Sequence, residues 1–226
     1  MLSVEAGEGS GEGAGSAPEG RVARRRAVVR QRILQAAEEL FAERGVDGVT
    51  IDDITTTADI ARRSFYHHFD GKHEVLVPIA RTRTRTLNRR IDRLVEKIED
   101  PAEMMATGIR HGLREISADP LCRWFVLHSG LPHERLYEGM GESGMRDATR
   151  AIKAGRFRVQ NPNVMPLLVS GAFIAVLRAR VDGRLDDRDL DDAVEHLLRM
   201  LGLDADEAED IAHRPLPTLP ADPGEN

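Results

Sequence analysis

One short segment of the chain gathers side chains that can hydrogen-bond to phosphates and to the edges of DNA bases. At helical spacing, Phe65 and Phe69 share an apolar stripe with Ala61. The opposite face carries the polar residues, namely Arg62, Arg63, Tyr66 and His67. An arginine can donate two hydrogen bonds to O6 and N7 of guanine, and a histidine N–H can donate to a base acceptor or lie against the backbone. The pattern predicts an exposed basic helix suited to a major groove.

Two predicted helices precede this segment and would position it. Apolar residues recur every three to four positions over 24–44, which predicts a first amphipathic helix. Thr50 followed three residues later by Asp53 is typical of a helix start, because each side chain can cap the first turn. After a turn at 59–60, a third helix is expected over 61–68. Two short helices joined by a tight turn form a helix-turn-helix.

The same stretch resembles the DNA-binding domain of the tetracycline-repressor (TetR) family over about residues 24–76. Besides the first helix, the resemblance is carried by GVTIDDI at 48–54, ARRSFYHHF at 61–69 and GKHE at 71–74. It implies phosphate contacts from Thr50, Ser64, Tyr66 and Lys72, and base contacts from Arg62, Arg63 and His67. Hydroxyls, a phenol and a cation at a helix start suit phosphate oxygens. The alternative is an ordinary solvated helix face.

Three residues depart from the family pattern. Ala61 stands where the family usually has a serine that caps the third helix, and alanine cannot accept that hydrogen bond. Asp59 replaces the usual turn glycine, although aspartate tolerates a left-handed backbone better than most residues. Asp52 would repel phosphate near the start of the second helix unless it accepts a hydrogen bond from a cytosine amine.

The rest of the chain keeps a helical period and shows no strand alternation. Helices are predicted at 72–98, 101–117, 120–128, 134–154, 163–181 and 187–201, with a short one from Asp204. The predicted fold class is all-α, with an N-terminal three-helix helix-turn-helix DNA-binding domain and a larger helical ligand-binding and dimerisation domain.

Charge and composition divide the chain into four parts. Residues 1–20 are acidic and Gly-rich and are expected to be a disordered tail. The DNA-binding domain is assigned to 21–72, where ten Lys/Arg face eight Asp/Glu and the cluster from Arg21 to Arg26 is expected to assist DNA binding. The regulatory and dimerisation domain is assigned to 73–213, and 214–226 to a Pro-rich flexible tail.

Several classes of protein are disfavoured by composition. Aromatic residues make up 4% of the chain, which argues against an all-β fold. The single cysteine, Cys122, cannot form an internal disulfide and is typical of a reducing compartment. The longest apolar stretch, 164–177, is too short to span a bilayer, and the N-terminus lacks the features of a signal peptide. We expect a cytoplasmic protein without a membrane anchor.

The resemblance implies a small-molecule pocket in the larger domain. The candidate lining residues are Met105, Ile109, Trp124, His128, Tyr137 and Phe173. Methionines and aromatics at helical spacing often pack a structural core instead, so each residue has that alternative.

The last two long helices are expected to form a homodimer interface. Its predicted residues are Gly171, Ala175, Val194, Leu197, Leu198 and Leu201. Small residues permit close helix approach, and the leucines form a continuous stripe. The alternative is packing against the chain's own core. A dimer is expected because two-fold symmetry doubles the number of bases read.

Pro78 lies about two turns inside a predicted helix, between the two domains. A proline there cannot donate to the carbonyl of Glu74, so the helix is expected to kink or break. One hypothesis is that ligand binding shifts this segment and respaces the two recognition helices. A fixed kink without any role in switching is the alternative.

No sequence motif indicates catalysis or the binding of a cofactor or metal. The histidines form no metal-binding spacing, and no P-loop, dinucleotide fingerprint or nucleophile elbow is found. The sequence therefore predicts a homodimeric, ligand-responsive regulator of transcription, released from an inverted-repeat operator in double-stranded DNA by a small molecule. The alternatives are a helical ligand- or partner-binding protein without DNA-binding activity and an all-α enzyme.

Overall fold

The computed structural model describes residues 17–128, 148–159 and 161–221. Every regular element in these ranges is a helix, which confirms the all-α fold class. The helices that are labelled here are α1 (Ala17–Arg44), α2 (Ile51–Thr57), α3 (Arg62–Tyr66), α4 (Lys72–Val95), α5 (Pro101–Ala118), α6 (Pro120–His128), α7 (Met165–Val181), α8 (Asp187–Met200) and α9 (Ala205–His213). Residues 148–153 are also helical. The predicted pocket residue Tyr137, most of the predicted 1–20 tail and the start of the predicted helix at 134–154 lie outside the described residues.

The helices α1 to α3 close around an apolar core that also receives the start of α4. Phe41, Ile54 and Phe65 are fully buried there. Leu121 of α6 packs into the same cluster, so the larger domain contributes directly to the core of the smaller one. This packing leaves the polar side of α3 facing solvent.

Local capping follows the sequence pattern closely in this domain. Thr50 caps α2 in a reciprocal box, accepting from the Asp53 amide while the Asp53 carboxylate accepts from the Thr50 amide. Ala61 caps α3 without a side-chain hydrogen bond, as its missing hydroxyl dictates. Asp59 takes a left-handed backbone, with φ of 49°, and Arg32 donates to both its carbonyl and its carboxylate at 3.1 Å. The turn therefore holds without glycine.

The apolar stripe of α8 corrects the predicted dimer interface. Val194, Leu197, Leu198 and Leu201 are at most 6% exposed and belong to the core of this single chain. They pack with α9 and α5, whose inner faces also supply buried apolar residues. Amphipathic spacing shows only that a stripe is buried, and here the chain itself covers it.

The predicted flexible tail at 214–226 is also corrected over its described part, residues 214–221. Arg110 donates to the carbonyl of Arg214 at 2.7 Å, His111 to that of Pro217 at 2.9 Å and Arg90 to that of Pro220 at 2.8 Å. Proline lacks an amide donor but keeps its carbonyl, which these side chains of α4 and α5 satisfy. The segment is a strap across the larger domain.

Helix α4 runs from Lys72 to Val95 with Pro78 inside it. Of the two expectations, a kink or a break, the break at Pro78 is absent, and α4 connects the two domains as one helix. The kink stays a prediction. Its first half packs on the DNA-binding core through Val75, Leu76 and Ile79, and its second half on the larger core through Leu87 and Ile91.

Candidate functional site

The exposed face of α3 is the first candidate site. Arg62, Arg63, Tyr66 and His67 are all solvent-exposed, with Tyr66 at 46%. Ser64 is half-buried. Phe65 fixes the helix from beneath, and its ring meets the ring of Tyr66 edge-on at 5.6 Å between centroids. The structure therefore gathers the predicted base-contacting residues on one accessible surface.

Arg62 is tied to the helix before it. Its Nη1 donates to both carboxylate oxygens of Asp52, at 2.7 and 2.8 Å, and its guanidinium lies 6.0 Å from the centroid of the Tyr66 ring. The pKa of Arg62 is raised, first by its side-chain hydrogen bond with Tyr66 and then by the Asp52 charge. Asp52 thus has a protein partner, Arg62. Sequence reasoning missed this pair, although Asp52 lies at the start of α2 and Arg62 at the start of α3.

Lys72 and Thr50 both have partners inside the chain. The Lys72 ammonium donates to the carbonyls of Val46 and Val49 at 2.9 Å and to that of Asp47 at 3.3 Å. The Thr50 hydroxyl is occupied in the cap of α2. Their predicted phosphate contacts stay predictions, and the geometry gives both residues a structural role in addition.

The basic N-terminal half of α1 lies beside α3. Arg26 donates to the carbonyl of His67 at 3.4 Å, and the Arg30 guanidinium lies 5.0 Å from the centroid of the Phe69 ring. Burial, followed by Arg26 and Arg30, lowers the pKa of half-buried His68, which keeps that ring neutral at pH 7. Helix α1 begins at Ala17, about two turns before the predicted start.

A cavity of about 190 Å³ between α4, α5, α6 and α7 is the second candidate site. The predicted residues Met105, Ile109 and Phe173 line it. Sequence reasoning missed the polar wall on α4, which comprises Thr84, Arg85, Asn88 and Asp92. Their three-to-four-residue spacing was the available signal, but charged positions on a long helix usually face solvent. The cavity is therefore apolar on three sides and polar on the fourth.

Trp124 and His128 lie elsewhere, which corrects their assignment to the pocket. The Trp124 indole donates to the Asp47 carboxylate at 3.1 Å, and its ring stacks on His128 at 4.1 Å between centroids and contacts His73 at 4.9 Å. These contacts fasten α6 to the DNA-binding domain. The Trp124 indole suits the junction of the two domains, because its apolar ring packs there while its N–H donates to a carboxylate.

Cys122 lines the cavity and is 5% exposed. Burial, followed by the nearby Asp119 carboxylate, raises the pKa of its thiol to about 12. The thiol is protonated at neutral pH and is a poor nucleophile.

The parts of the chain that the structure describes hold no helix long and apolar enough to cross a bilayer. Over the same residues, no three or more His, Cys, Asp or Glu side chains are arranged to bind a metal ion.

Two family models match separate parts of the chain. Residues 33–78 match "Bacterial regulatory proteins, tetR family", and residues 100–214 match "Tetracyclin repressor-like, C-terminal domain". The first match covers the helix-turn-helix, and the second covers α5 to α9.

Individual proteins give the same result. The crystal structure of RolR in complex with resorcinol superimposes with a TM-score of 0.78 at 32% identity, covering 88% of this chain and 100% of that one. An uncharacterized HTH-type transcriptional regulator of Mycobacterium tuberculosis is 32% identical over 105 residues, which are 46% of this chain and 52% of the relative. IcaR of Staphylococcus epidermidis, a negative regulator of a biofilm operon, is 40% identical over 47 residues, 21% of this chain and 25% of IcaR. The chain thus spans about half the length, or less, of these two curated relatives.

Proposed function

This chain belongs to the TetR family of transcriptional regulators, and we propose that it is a homodimeric repressor released from an inverted-repeat operator by a small molecule. The observation that carries the proposal is the surface of α3, where Arg62, Arg63, Tyr66 and His67 stay exposed above a buried aromatic anchor. Such a helix places donors for base edges in a major groove while the flanking elements contact the backbone.

Selection of bound duplexes from random DNA tests this proposal directly. We expect an inverted repeat with half-sites about 34 Å apart, one turn of DNA, because each protomer supplies one recognition helix. Arg63→Ala is the sharpest variant, because Arg63 is exposed and its loss is expected to relax base preference at one position by about 1–3 kcal/mol. Arg188→Ala, at an exposed site on α8, is the matched control. Binding without any base preference would contradict the proposal.

The dimer is proposed to form through the outer face of α7. Leu167 and Leu168 are 54% and 51% exposed, and Val164 and Ala175 are exposed beside them with half-buried Gly171. The residues at 164, 168, 171 and 175 share one stripe of the helix. This apolar face replaces the buried stripe of α8 as the predicted interface, and it retains Gly171 and Ala175 from the sequence prediction.

Light scattering after gel filtration tests the interface. Leu168→Arg places a charge on the proposed interface and is expected to give a folded monomer. Met200→Arg is the control, since Met200 is an exposed apolar residue at the end of α8. A Leu168→Arg variant that remains dimeric would exclude this face.

The effector is proposed to be a monocyclic phenol. The RolR structure, which matches 88% of this chain, contains resorcinol. A cavity of about 190 Å³ has room for one aromatic ring with small substituents, given that an engineered cavity of about 150 Å³ binds benzene. The apolar walls formed by Ile109 and Phe173 suit the ring, and the polar wall of α4 at Asn88 and Asp92 suits hydroxyl groups.

Thermal unfolding with a panel of ring compounds tests the effector class. Resorcinol and phenol are expected to raise the Tm and to weaken DNA binding, whereas cyclohexanol is expected to do neither. Asn88→Leu should reduce the response to resorcinol more than the response to phenol, because resorcinol has the second hydroxyl. Release of DNA by none of the phenols would contradict this assignment and leave the DNA-binding proposal intact.

A further inference from the structure

A second pocket, of about 420 Å³, lies where the C-terminal ends of α5 and α7 meet the starts of α6 and α8. It shares no lining residue with the cavity described above. Its lining is dominated by three arginines, Arg114 from α5, Arg123 from α6 and Arg180 from α7. Neither the DNA-binding surface nor the effector cavity uses any of them.

Two guanidinium nitrogens at this pocket are buried without a hydrogen-bond partner. They are Nη1 of Arg114 and Nε of Arg180, and they are the buried side-chain polar atoms without a partner in the described residues. A buried donor that is left without a hydrogen bond costs about 1–3 kcal/mol of stability, and more if the group is charged. A ligand that accepts from these two nitrogens would recover that free energy.

The remaining nitrogens of the same side chains hold the arginines in place. Arg114 Nη2 donates to the Asp191 carboxylate at 2.8 and 2.9 Å and to the Asp187 carbonyl at 3.1 Å. Arg180 donates to the Asp187 carboxylate at 2.7 Å and to the Leu185 carbonyl at 3.1 Å. Both arginines thus bond to Asp187, Arg114 to its carbonyl and Arg180 to its carboxylate, which ties the two guanidinium groups to one residue. The site is therefore organised before any ligand arrives.

Arg123 supplies a third, movable donor group. Its side chain is exposed at the pocket, and its guanidinium has no hydrogen bond or ion pair within the described part of the chain. Such a side chain can swing over a ligand held by the other two arginines.

The local charges leave one positive charge uncompensated. Arginines outnumber carboxylates by one among the side chains of the pocket and its supporting ion pairs, namely Arg110, Arg114, Arg123 and Arg180 against Glu115, Asp187 and Asp191. A partly exposed pocket with a net positive charge and two buried, unpartnered N–H donors favours an anion with several acceptor oxygens.

We propose that this second pocket binds a small oxyanion, a phosphate or a carboxylate, between Arg114, Arg123 and Arg180. The two fixed N–H groups donate to a pair of the anion's oxygens, and Arg123 closes over the exposed side. Carboxylate and phosphate groups share this geometry, since both offer adjacent oxygens to a guanidinium.

Thermal unfolding of the full chain in phosphate, acetate and chloride at equal ionic strength tests the proposal. Phosphate or acetate is expected to raise the Tm above the value in chloride, and the more effective anion identifies the ligand chemistry. Arg123→Gln should weaken that anion's apparent affinity by about tenfold. Arg188→Gln, an exposed arginine of α8 outside the pocket, should leave it unchanged.

A second variant separates a directed site from general positive charge. Arg180→Lys keeps the charge but removes the Nε donor, and it is expected to lose the anion response as Arg123→Gln does. Equal responses to all three anions, or an unchanged response in Arg123→Gln, would overturn the proposal. DNA binding and the effector response are measured in the same proteins, so a failure here is distinguishable from a failure of the repressor function.

Discussion

Asp52 and Arg62 form an ion pair that joins the start of α2 to the start of α3, in which Arg62 Nη1 donates to both carboxylate oxygens at distances below 3 Å. The pair is solvent-exposed on the surface assigned to DNA, with 57% of the Arg62 side chain accessible. Before Arg62 can bind a guanine, it must either break its ion pair with Asp52 or donate to Asp52 and the guanine at the same time. The carboxylate therefore competes with DNA for the same guanidinium.

Removing that competition is expected to strengthen DNA binding. Asp52→Asn deletes a negative charge facing the phosphates and frees Arg62, so affinity should rise for cognate and scrambled duplexes alike, and the ratio of the two affinities should change little. Fluorescence anisotropy over a range of salt concentrations measures both. Asp206→Asn in α9 makes the same charge change away from α3 and should have little effect. Weaker binding by Asp52→Asn would show instead that Asp52 itself contacts a base.

Lys72 offers a test of a structural role against a DNA contact. Lys72→Met leaves three carbonyls of the α1–α2 loop without their charged donor, so the free energy of unfolding should fall by about 1–3 kcal/mol. Urea unfolding measures this loss, with exposed Lys97→Met as the control. In the same protein, a salt slope for DNA binding reduced by about one would establish the phosphate contact predicted from the sequence. An unchanged stability would contradict the structural role.

Two glycines of α5 form a matched pair at the effector cavity. A Cβ at Gly108 would lie 3.6 Å from Ile91, an ordinary contact, whereas one at Gly112 would lie 3.1 Å from the Phe173 ring. Gly108→Ala should stabilise the protein by up to about 1 kcal/mol through helix propensity. Gly112→Ala should gain less or lose stability, because Phe173 must move. Equal gains in urea unfolding would show that Phe173 shifts freely.

The acid sensitivity of the larger domain should depend on Asp100 and Arg156. Arg156 donates to both carboxylate oxygens of Asp100 at 2.7 and 2.8 Å, and this bond is the main cause that lowers the pKa of Asp100. A carboxyl whose pKa is lowered by folding stabilises the fold at any pH above its pKa in the unfolded chain, about 3.9. That contribution is lost as the pH falls through the pKa of the carboxyl in the folded protein.

Arg156→Met is therefore expected to be less stable than the wild type at pH 7, with a difference that shrinks below about pH 4. Urea unfolding at several pH values measures this. Arg184→Met removes an exposed ion pair with Asp182 and should show a smaller, pH-independent change. A difference that grows in acid would contradict the assignment.

The features that the sequence could predict are those formed by residues close to one another along the chain. The cap of α2 by Thr50 and Asp53 involves residues within a few positions, so pattern alone predicted it. The exposed face of α3 was predictable for the same reason. The turn at Asp59, where the family usually has glycine, was recognised through the resemblance. Segment charge indicated a basic N-terminal unit and an acidic body, and the family resemblance implied what each does.

What the sequence could not predict depends on distant partners. Buried stripes look alike whether a second protomer or the chain's own α9 covers them, which is why Leu198 was assigned to the wrong surface. The strap at 214–221 is held by Arg90, Arg110 and His111, all about a hundred residues earlier, and no local pattern records these bonds. Trp124 was assigned to the pocket by residue type alone.

The position of α6 suggests how the cavity communicates with the DNA-binding domain. Cys122, Phe125 and Val126 line the cavity, while Leu121 packs in the DNA-binding core and Trp124 bonds to Asp47 beside α2. An effector that displaces α6 would therefore pull on the loop that precedes α2. By contrast, α4 continues through Pro78 without ending. The structure therefore gives less reason to place a hinge at Pro78 than the sequence did.

Trp124→Phe is expected to weaken this coupling selectively. Phenylalanine keeps much of the stacking on His128 but removes the N–H that reaches Asp47, so the change in DNA affinity caused by a phenol should shrink by about threefold or more. Affinity for DNA alone, and for the phenol alone, should change far less. Pro78→Ala is the comparison, and it should alter the coupling less than Trp124→Phe does. The opposite order in DNA-binding titrations with and without the phenol would return the hinge to Pro78, because the coupling would then depend more on α4 than on the Trp124–Asp47 bond.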